Sequence, residues 1–248
     1  MLSSLNSQQK QAAKIINGPV MIVAGPGSGK TRVLVSRIVY LISQGINPKN
    51  ILAVTFTNKA AQEMKERVEK LLRQDLKEIV SDKMNVNGTH LPMIGTFHSI
   101  CLRILRREAK NIGMTSSFII YDSKDSLTLI KKILKENDIS EDYIKSNRAI
   151  GTISRLKNEL TNPEEYHENA NGFYQEKIAE VFLKYQEELA KLNALDFDDL
   201  IGQTVELFQQ HPDILNKYQN LFQYILVDEW QDTNHAQYAL IKLLAGEK

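Results

Sequence analysis

Two short segments of this 248-residue chain combine residue types that do chemistry together. The first is Ala24-Gly25-Pro26-Gly27-Ser28-Gly29-Lys30-Thr31, which follows an apolar run and precedes an amphipathic pattern through Val33, Leu34, Ile38 and Leu41. Glycines at this spacing let the backbone curl until successive N–H groups point at one centre and hold phosphate oxygens. A helix N-terminus behind the loop adds partial positive charge. Lys30 reaches the β- and γ-phosphates as a point charge, and the Thr31 hydroxyl is placed to ligate Mg²⁺. Ala24 stands where the simplest form of this Walker A pattern has glycine, and a small residue is compatible there. The second segment, Asp228-Glu229-Trp230-Gln231-Asp232, ends the apolar run Tyr224 to Val227. Ligands gather at the carboxyl ends of parallel strands, so Asp228 is expected at the phosphate edge as a Mg²⁺ ligand. Glu229 can then orient or deprotonate an attacking water. Taken alone, the acidic pair also reads as helix-capping acids, and the loop alone does not choose between hydrolysis and, for example, a kinase reaction.

The elements that must position these groups follow from the apolar pattern. Val20 to Ala24, Ile51 to Phe56 and Tyr224 to Val227 read as buried parallel strands, with Met93 to Thr96 a weaker one. Between them, Ala60, Ala61, Met64, Val68, Leu71 and Leu72 fall on one helix face, as do Phe97, Ile100, Cys101, Ile104 and Leu105. Strands alternating with helices predict an α/β fold, a parallel sheet flanked by helices. From about Glu108 to Asn193 the pattern turns helical, with stripes at Leu127/Ile130/Ile133/Leu134, Ile150/Ile153/Leu156/Leu160 and Ile178/Val181/Phe182/Tyr185/Leu189/Leu192. The expected organisation is a nucleotide-binding domain over 1–108 and 194–248, interrupted by a helical insertion over 109–193. Lys and Arg total 31 against 30 Asp and Glu, a net charge of +1. Any nucleic-acid contact is therefore local; candidate cations are Lys59, Arg103, Arg106, Arg107, Arg155 and Lys157. The one cysteine, Cys101, gives no internal disulfide framework and suits a reducing cytoplasm. No apolar run approaches a membrane span of ~20 residues, and Met1 to Gln11 lacks an apolar signal core. The expectation is a soluble, cytoplasmic protein.

The second segment resembles the D-E-x-Q-D box of superfamily I DNA helicases of the UvrD/Rep/PcrA type, with Trp230 in a slot that is usually tyrosine. Other segments agree in order: Leu5-Asn6-Ser7-Gln8-Gln9 with the Q motif, Ala24 to Thr31 with motif I, Thr55-Phe56-Thr57-Asn58-Lys59-Ala60-Ala61 with motif Ia, Thr96-Phe97-His98-Ser99 with motif Ib, and Leu195-Asp196-Phe197-Asp198-Asp199-Leu200 with the acidic box after the helical insertion. The resemblance implies a RecA-like P-loop NTPase fold and ATP-driven translocation along single-stranded DNA with duplex unwinding, usually 3′→5′, in repair or replication. ATP and Mg²⁺ are the implied cofactors, and single-stranded and duplex DNA the implied partner. It further implies that Gln9 reads adenine, that the loop from Ala24 through Gly25, Pro26, Gly27, Ser28, Gly29 and Lys30 holds phosphate, and that Arg32 lies near the nucleotide. Thr31 and Asp228 would serve Mg²⁺, Glu229 would be the base, and Phe56, Thr57, Asn58 and His98 would face DNA. Read locally, Phe56 also suits a core position, Asn58 a helix N-cap, His98 a structural histidine, and Asp196 with Asp199 a helix start.

In the resembled family a motif III strand and a second RecA-like domain follow the position where this sequence stops, and ATP binds between the two domains. The expectation is thus an incomplete ATP site, with weak binding and nearly absent hydrolysis, or else a nucleotide- or DNA-binding remnant without motor activity. In such sheets the motif III strand lies between the strands read here at 20–24 and 224–228. Those two runs should therefore either flank an open slot or close up and pair directly.

Overall fold

A computed structural model of the chain describes residues 2, 5–75 and 91–246; the outer limits of the expected domains, 1 and 248, lie outside these. Contacts divide the chain into two compact units, one of residues 1–97, 213–232 and 244–248, the other of 98–212 and 233–243. The changeovers fall at 97/98 and 212/213, where the sequence pattern suggested 108/109 and 193/194. The long helices on either side of the insertion group with it.

The first unit contains a three-stranded parallel sheet in the order β2-β1-β5, where β1 is Ile51–Thr55, β2 Met93–Thr96 and β5 Tyr224–Val227. β1 is central, pairing Leu52 with Met93 and Ile51 with Tyr224. All five of its residues are buried, as a central parallel strand requires. Helices α1 (Ser7–Lys14), α2 (Lys30–Ser43) and α3 (Asn58–Asp75) belong to this unit. Val35, Ile38 and Val39 of α2 pack with Met64, Val68 and Leu72 of α3 over Ile51, Ala53 and Leu226. The i, i+4, i+8 spacing in α3 is what aims that stripe at the sheet.

The run Val20 to Ala24, expected as a buried strand, has no ladder partner among the described residues, and Met21 and Val23 are 77% and 88% exposed. Ile22 alone packs inward, against Leu5, Ala13 and Val33. Apolarity marks a segment that can be buried, but a strand is completed only by a neighbour. Among the described residues β5 bonds to β1 alone, on one side. The two runs do not pair directly, and with 20–24 forming no strand they do not flank a slot as two strands either.

The second unit is mainly helical. It contains α5 (Ser123–Glu136), α6 (Ser146–Asn158), α7 (Pro163–Asn169), α8 (Phe173–Lys191) and α9 (Phe197–Gln210), most of α4 (Phe97–Glu108) and of α11 (His235–Ala245), and a short parallel pair, β3 (Ile119–Tyr121) with β4 (Ala194–Asp196); α10 (Pro212–Leu221) begins at the changeover. The expected stripes meet in one core including Ile130, Ile133, Ile153, Leu156, Ile178, Phe182 and Tyr185. Beside it lies a buried polar cluster. The Lys157 ammonium sits 2.7 Å from Asp196 and 2.8 Å from Asp199, the Tyr185 hydroxyl donates to Asp196 at 3.0 Å, and the Lys157 and Asp199 side chains are only 5% and 4% exposed. Asp196 and Asp199 also cap α9 reciprocally, so the helix-start reading of this acidic box holds locally. Lys157 is therefore not a surface cation. Of the other candidates, Arg106 is bound to the Ser116 carbonyl and lies over Phe118, and Arg155 pairs with Glu159. Lys59, Arg103 and Arg107 remain exposed.

Candidate functional site: a phosphate-loop cavity

The phosphate loop is shaped by its own backbone needs. Gly27 and Gly29 have φ of 72° and 85°, left-handed values that a side chain disfavours. Gly29 is the N-cap of α2, and the Ser28 N–H and hydroxyl both donate to the Gly25 carbonyl. A Cβ on Gly29 would also come within 3.2 Å of the Gln9 amide nitrogen. That amide donates to the Ser28 carbonyl at 2.9 Å, while the Gln9 side-chain oxygen accepts from the Asn6 N–H in the capping box of α1. Gln9 is thus tied to the loop. Lys30 curls back over it, donating to the Ala24 carbonyl at 3.1 Å.

Asp228 leaves β5 at the carboxyl edge of the sheet, its N–H bonded to the Val54 carbonyl at 2.9 Å. Its carboxylate accepts from the Thr31 hydroxyl at 3.4 Å. Burial first, then the neighbouring Glu229 charge, push the Asp228 carboxyl above the ordinary range, against the pull of Thr31 and Lys30. One hydroxyl and one carboxylate suit Mg²⁺, which keeps waters and phosphate oxygens in its shell. Among the described residues no group of three or more His, Cys, Asp and Glu could form an all-protein metal cage. Glu229 has φ of 50°, left-handed for a residue with a long side chain. Its carboxylate accepts from Gln231 at 2.6 Å. Such backbone strain is commonly held at functional positions.

Gln9, Gly27, Ser28, Gly29, Lys30, Thr31, Arg32, Arg67 and Glu229 line one cavity of about 540 Å³. The expected nucleotide groups Gln9, Lys30, Thr31, Arg32, Asp228 and Glu229 therefore converge at one sheet edge. Arg67, on α3, was not expected there.

Of the residues expected to face DNA, Phe56, Thr57 and Asn58 follow β1 at the same edge. Phe56 is half-buried, edge-on to Phe97 at 5.5 Å. Thr57 caps α3, its hydroxyl accepting from the Ala60 N–H at 3.1 Å. The capping role weighed for Asn58 thus falls to its neighbour, and Asn58 is exposed in the first helical turn. His98 belongs to the other unit, where its ring meets the half-exposed Phe197 edge-on at 5.8 Å. Burial lowers the His98 pKa against the opposing pull of Asp198, favouring the neutral ring.

Comparison with known proteins places the chain in a family. The family model described as the UvrD/REP helicase N-terminal domain matches residues 5–248. A protein of Bacillus subtilis named ATP-dependent DNA helicase PcrA is 49% identical over 246 residues, 99% of this chain and 32% of the relative. Proteins of the same name from Staphylococcus epidermidis and Staphylococcus aureus are 47% identical over all 248 residues. The chain thus spans about a third, 32%, of the length of the curated relatives it matches.

Proposed function

The chain belongs to the UvrD/REP helicase N-terminal domain family, with its RecA-like P-loop fold, and from that premise we propose that it is the ATP-binding part of an ATP-dependent DNA helicase. The observation that carries the reading is the convergence of Lys30, Thr31, Asp228 and Glu229 on one sheet edge, with Thr31 and Asp228 in contact. In this reading Lys30 leaves the Ala24 carbonyl for the β- and γ-phosphates, and the loop N–H groups take phosphate oxygens. Thr31 and Asp228 hold Mg²⁺, which when bound neutralises charge developing on the phosphates. Glu229 takes the proton from a water whose oxygen bonds to the γ-phosphorus as the β–γ bridging bond breaks. Gln9 turns its amide to the adenine edge, and Arg32 lies beside the nucleotide.

Phe56, Thr57, Asn58 and His98 serve DNA through a ring for stacking and hydroxyl, amide and imidazole groups for the backbone. Single-stranded and duplex DNA are the partners, with 3′→5′ movement and a role in repair or replication inferred from family resemblance. The division at 108/109 and 193/194 is retained as the functional boundary between nucleotide-binding domain and insertion. A cytoplasmic location fits the lone cysteine, and among the described residues no helix is long and apolar enough to cross a membrane.

A second reading for the chain by itself is nucleotide or DNA binding without motor activity. ATP hydrolysis measured with and without single-stranded DNA, on this chain and on one the length of its relatives, separates the two. A cation supplied from across a nucleotide cleft is worth roughly 10³–10⁵ in rate, so a difference of that order between the two chains would assign turnover to residues outside this one. In the longer chain Lys30→Ala should abolish DNA-stimulated turnover, while Glu229→Gln should keep binding and stop hydrolysis. Full turnover by Lys30→Ala would refute the assigned site.

A further inference from the structure

Among the described residues, Arg67 is the one cation lining the nucleotide cavity from outside the loop-and-α2 segment. We propose that it distinguishes ATP from ADP by exchanging its present partner, Glu63, for the terminal phosphate; the inference rests on the nucleotide-site reading above. α3 is fixed under this position by Met64 and Val68, both fully buried, so the base of the Arg67 side chain is set by packing. Its outer end is not. The side chain is 54% exposed, and its guanidinium is bonded to Glu63, whose side chain is 47% exposed, through a single contact of 3.2 Å one helical turn away. An exposed i, i+4 pair of this kind is weak, and a phosphate in the cavity competes with it readily.

The approach comes from the right side. α3 follows β1, and β1 pairs with β5, whose end delivers Asp228 and Glu229. Arg67 and Glu229 line the same cavity as Lys30, so a phosphate held there lies within the reach of a guanidinium. A guanidinium also presents a planar fork that matches two phosphate oxygens, which an ammonium does not. ADP lacks the terminal group, so the Arg67–Glu63 pair stays intact when ADP binds.

The test is Mg²⁺-dependent binding of ATPγS and of ADP to this chain by titration calorimetry. Arg67→Ala should weaken ATPγS binding about 10-fold or more and ADP binding less than about 3-fold. Arg67→Lys should recover only part of the loss. Glu63→Gln, which frees Arg67 without removing it, should tighten ATPγS binding about 2–5-fold and leave ADP unchanged. Equal losses for both nucleotides, or tighter ADP binding in Glu63→Gln, would overturn the exchange while leaving the site assignment intact. If the unsubstituted chain binds neither nucleotide, or if Lys30→Ala leaves both affinities unchanged, the site assignment fails and the proposal with it.

Discussion

Lys157→Met should destabilise the helical unit severely and in a pH-dependent way. The ammonium is shared by two buried carboxylates at 2.7 and 2.8 Å, beneath a Tyr185 ring whose centre is 4.8 Å away. Methionine preserves most of the volume, so the change isolates the charge. Breaking a buried ion pair by removing one partner costs about 3–5 kcal/mol, a large share of a typical domain stability of ~5–15 kcal/mol. The cluster already carries one excess negative charge. Burial and the Asp196 charge push the Asp199 carboxyl up to about 6, against the pull of Lys157. A folded pKa above the unfolded one means that the Asp199 contribution is fully present below about pH 4 and is lost as pH rises through 6. The depressed Asp196 carboxyl works the other way and loses its contribution as pH falls below the ordinary carboxylate range. Without Lys157 both carboxyls must be neutralised by protons, so the variant should lose more stability at pH 8 than at pH 5. Urea unfolding followed by far-ultraviolet circular dichroism at the two pH values measures this. A loss under about 1 kcal/mol, or one equal at both pH values, would refute the account of the cluster.

Gly29→Ala places a side chain at φ of 85° and within 3.2 Å of Gln9; with left-handed backbone costing roughly 1–2 kcal/mol, both melting temperature and nucleotide affinity should fall. Glu229→Gly relieves the left-handed strain at 229 and should raise the melting temperature by about 2–4 °C while abolishing hydrolysis in a longer, active chain. Cys101, fully buried with its thiol pushed up to about 12 by desolvation, should react with a thiol reagent only as the unit opens, so that labelling and unfolding follow the same urea dependence.

The phosphate loop was legible because its signal is local: glycines where the backbone needs positive φ, then Lys30 and Thr31 at a helix start. Asp228 and Glu229 were legible because a strand end fixes where the next residue points. Arg67 was not, since a charged residue on an amphipathic helix reads as solvated surface. Only the rotation of α3 about Met64 and Val68 brings it to the cavity, and its spacing of three from Met64 was the available sign. Lys157 was misread for the same reason, although it directly follows buried Leu156 on a stripe. Val20 to Ala24 failed differently. Its composition specifies a strand, but strand pairing is a property of distant sequence.

The β1–β5 pairing also sets an order of events during synthesis. β1 emerges from the ribosome long before β5, and the roughly 115 residues His98–Pro212 lie between the two main segments of the first unit. At ~5–20 residues per second, the 168 residues between Thr55 and Tyr224 take about 8–34 s to translate. Through that interval β1 lacks one of its two partners, while most of the helical unit, whose core lies between Leu129 and Ala194, is already available to fold. The half-made sheet must wait with apolar Ile51 to Val54 uncovered on one edge, which makes this window the one in which a nascent chain most needs a chaperone.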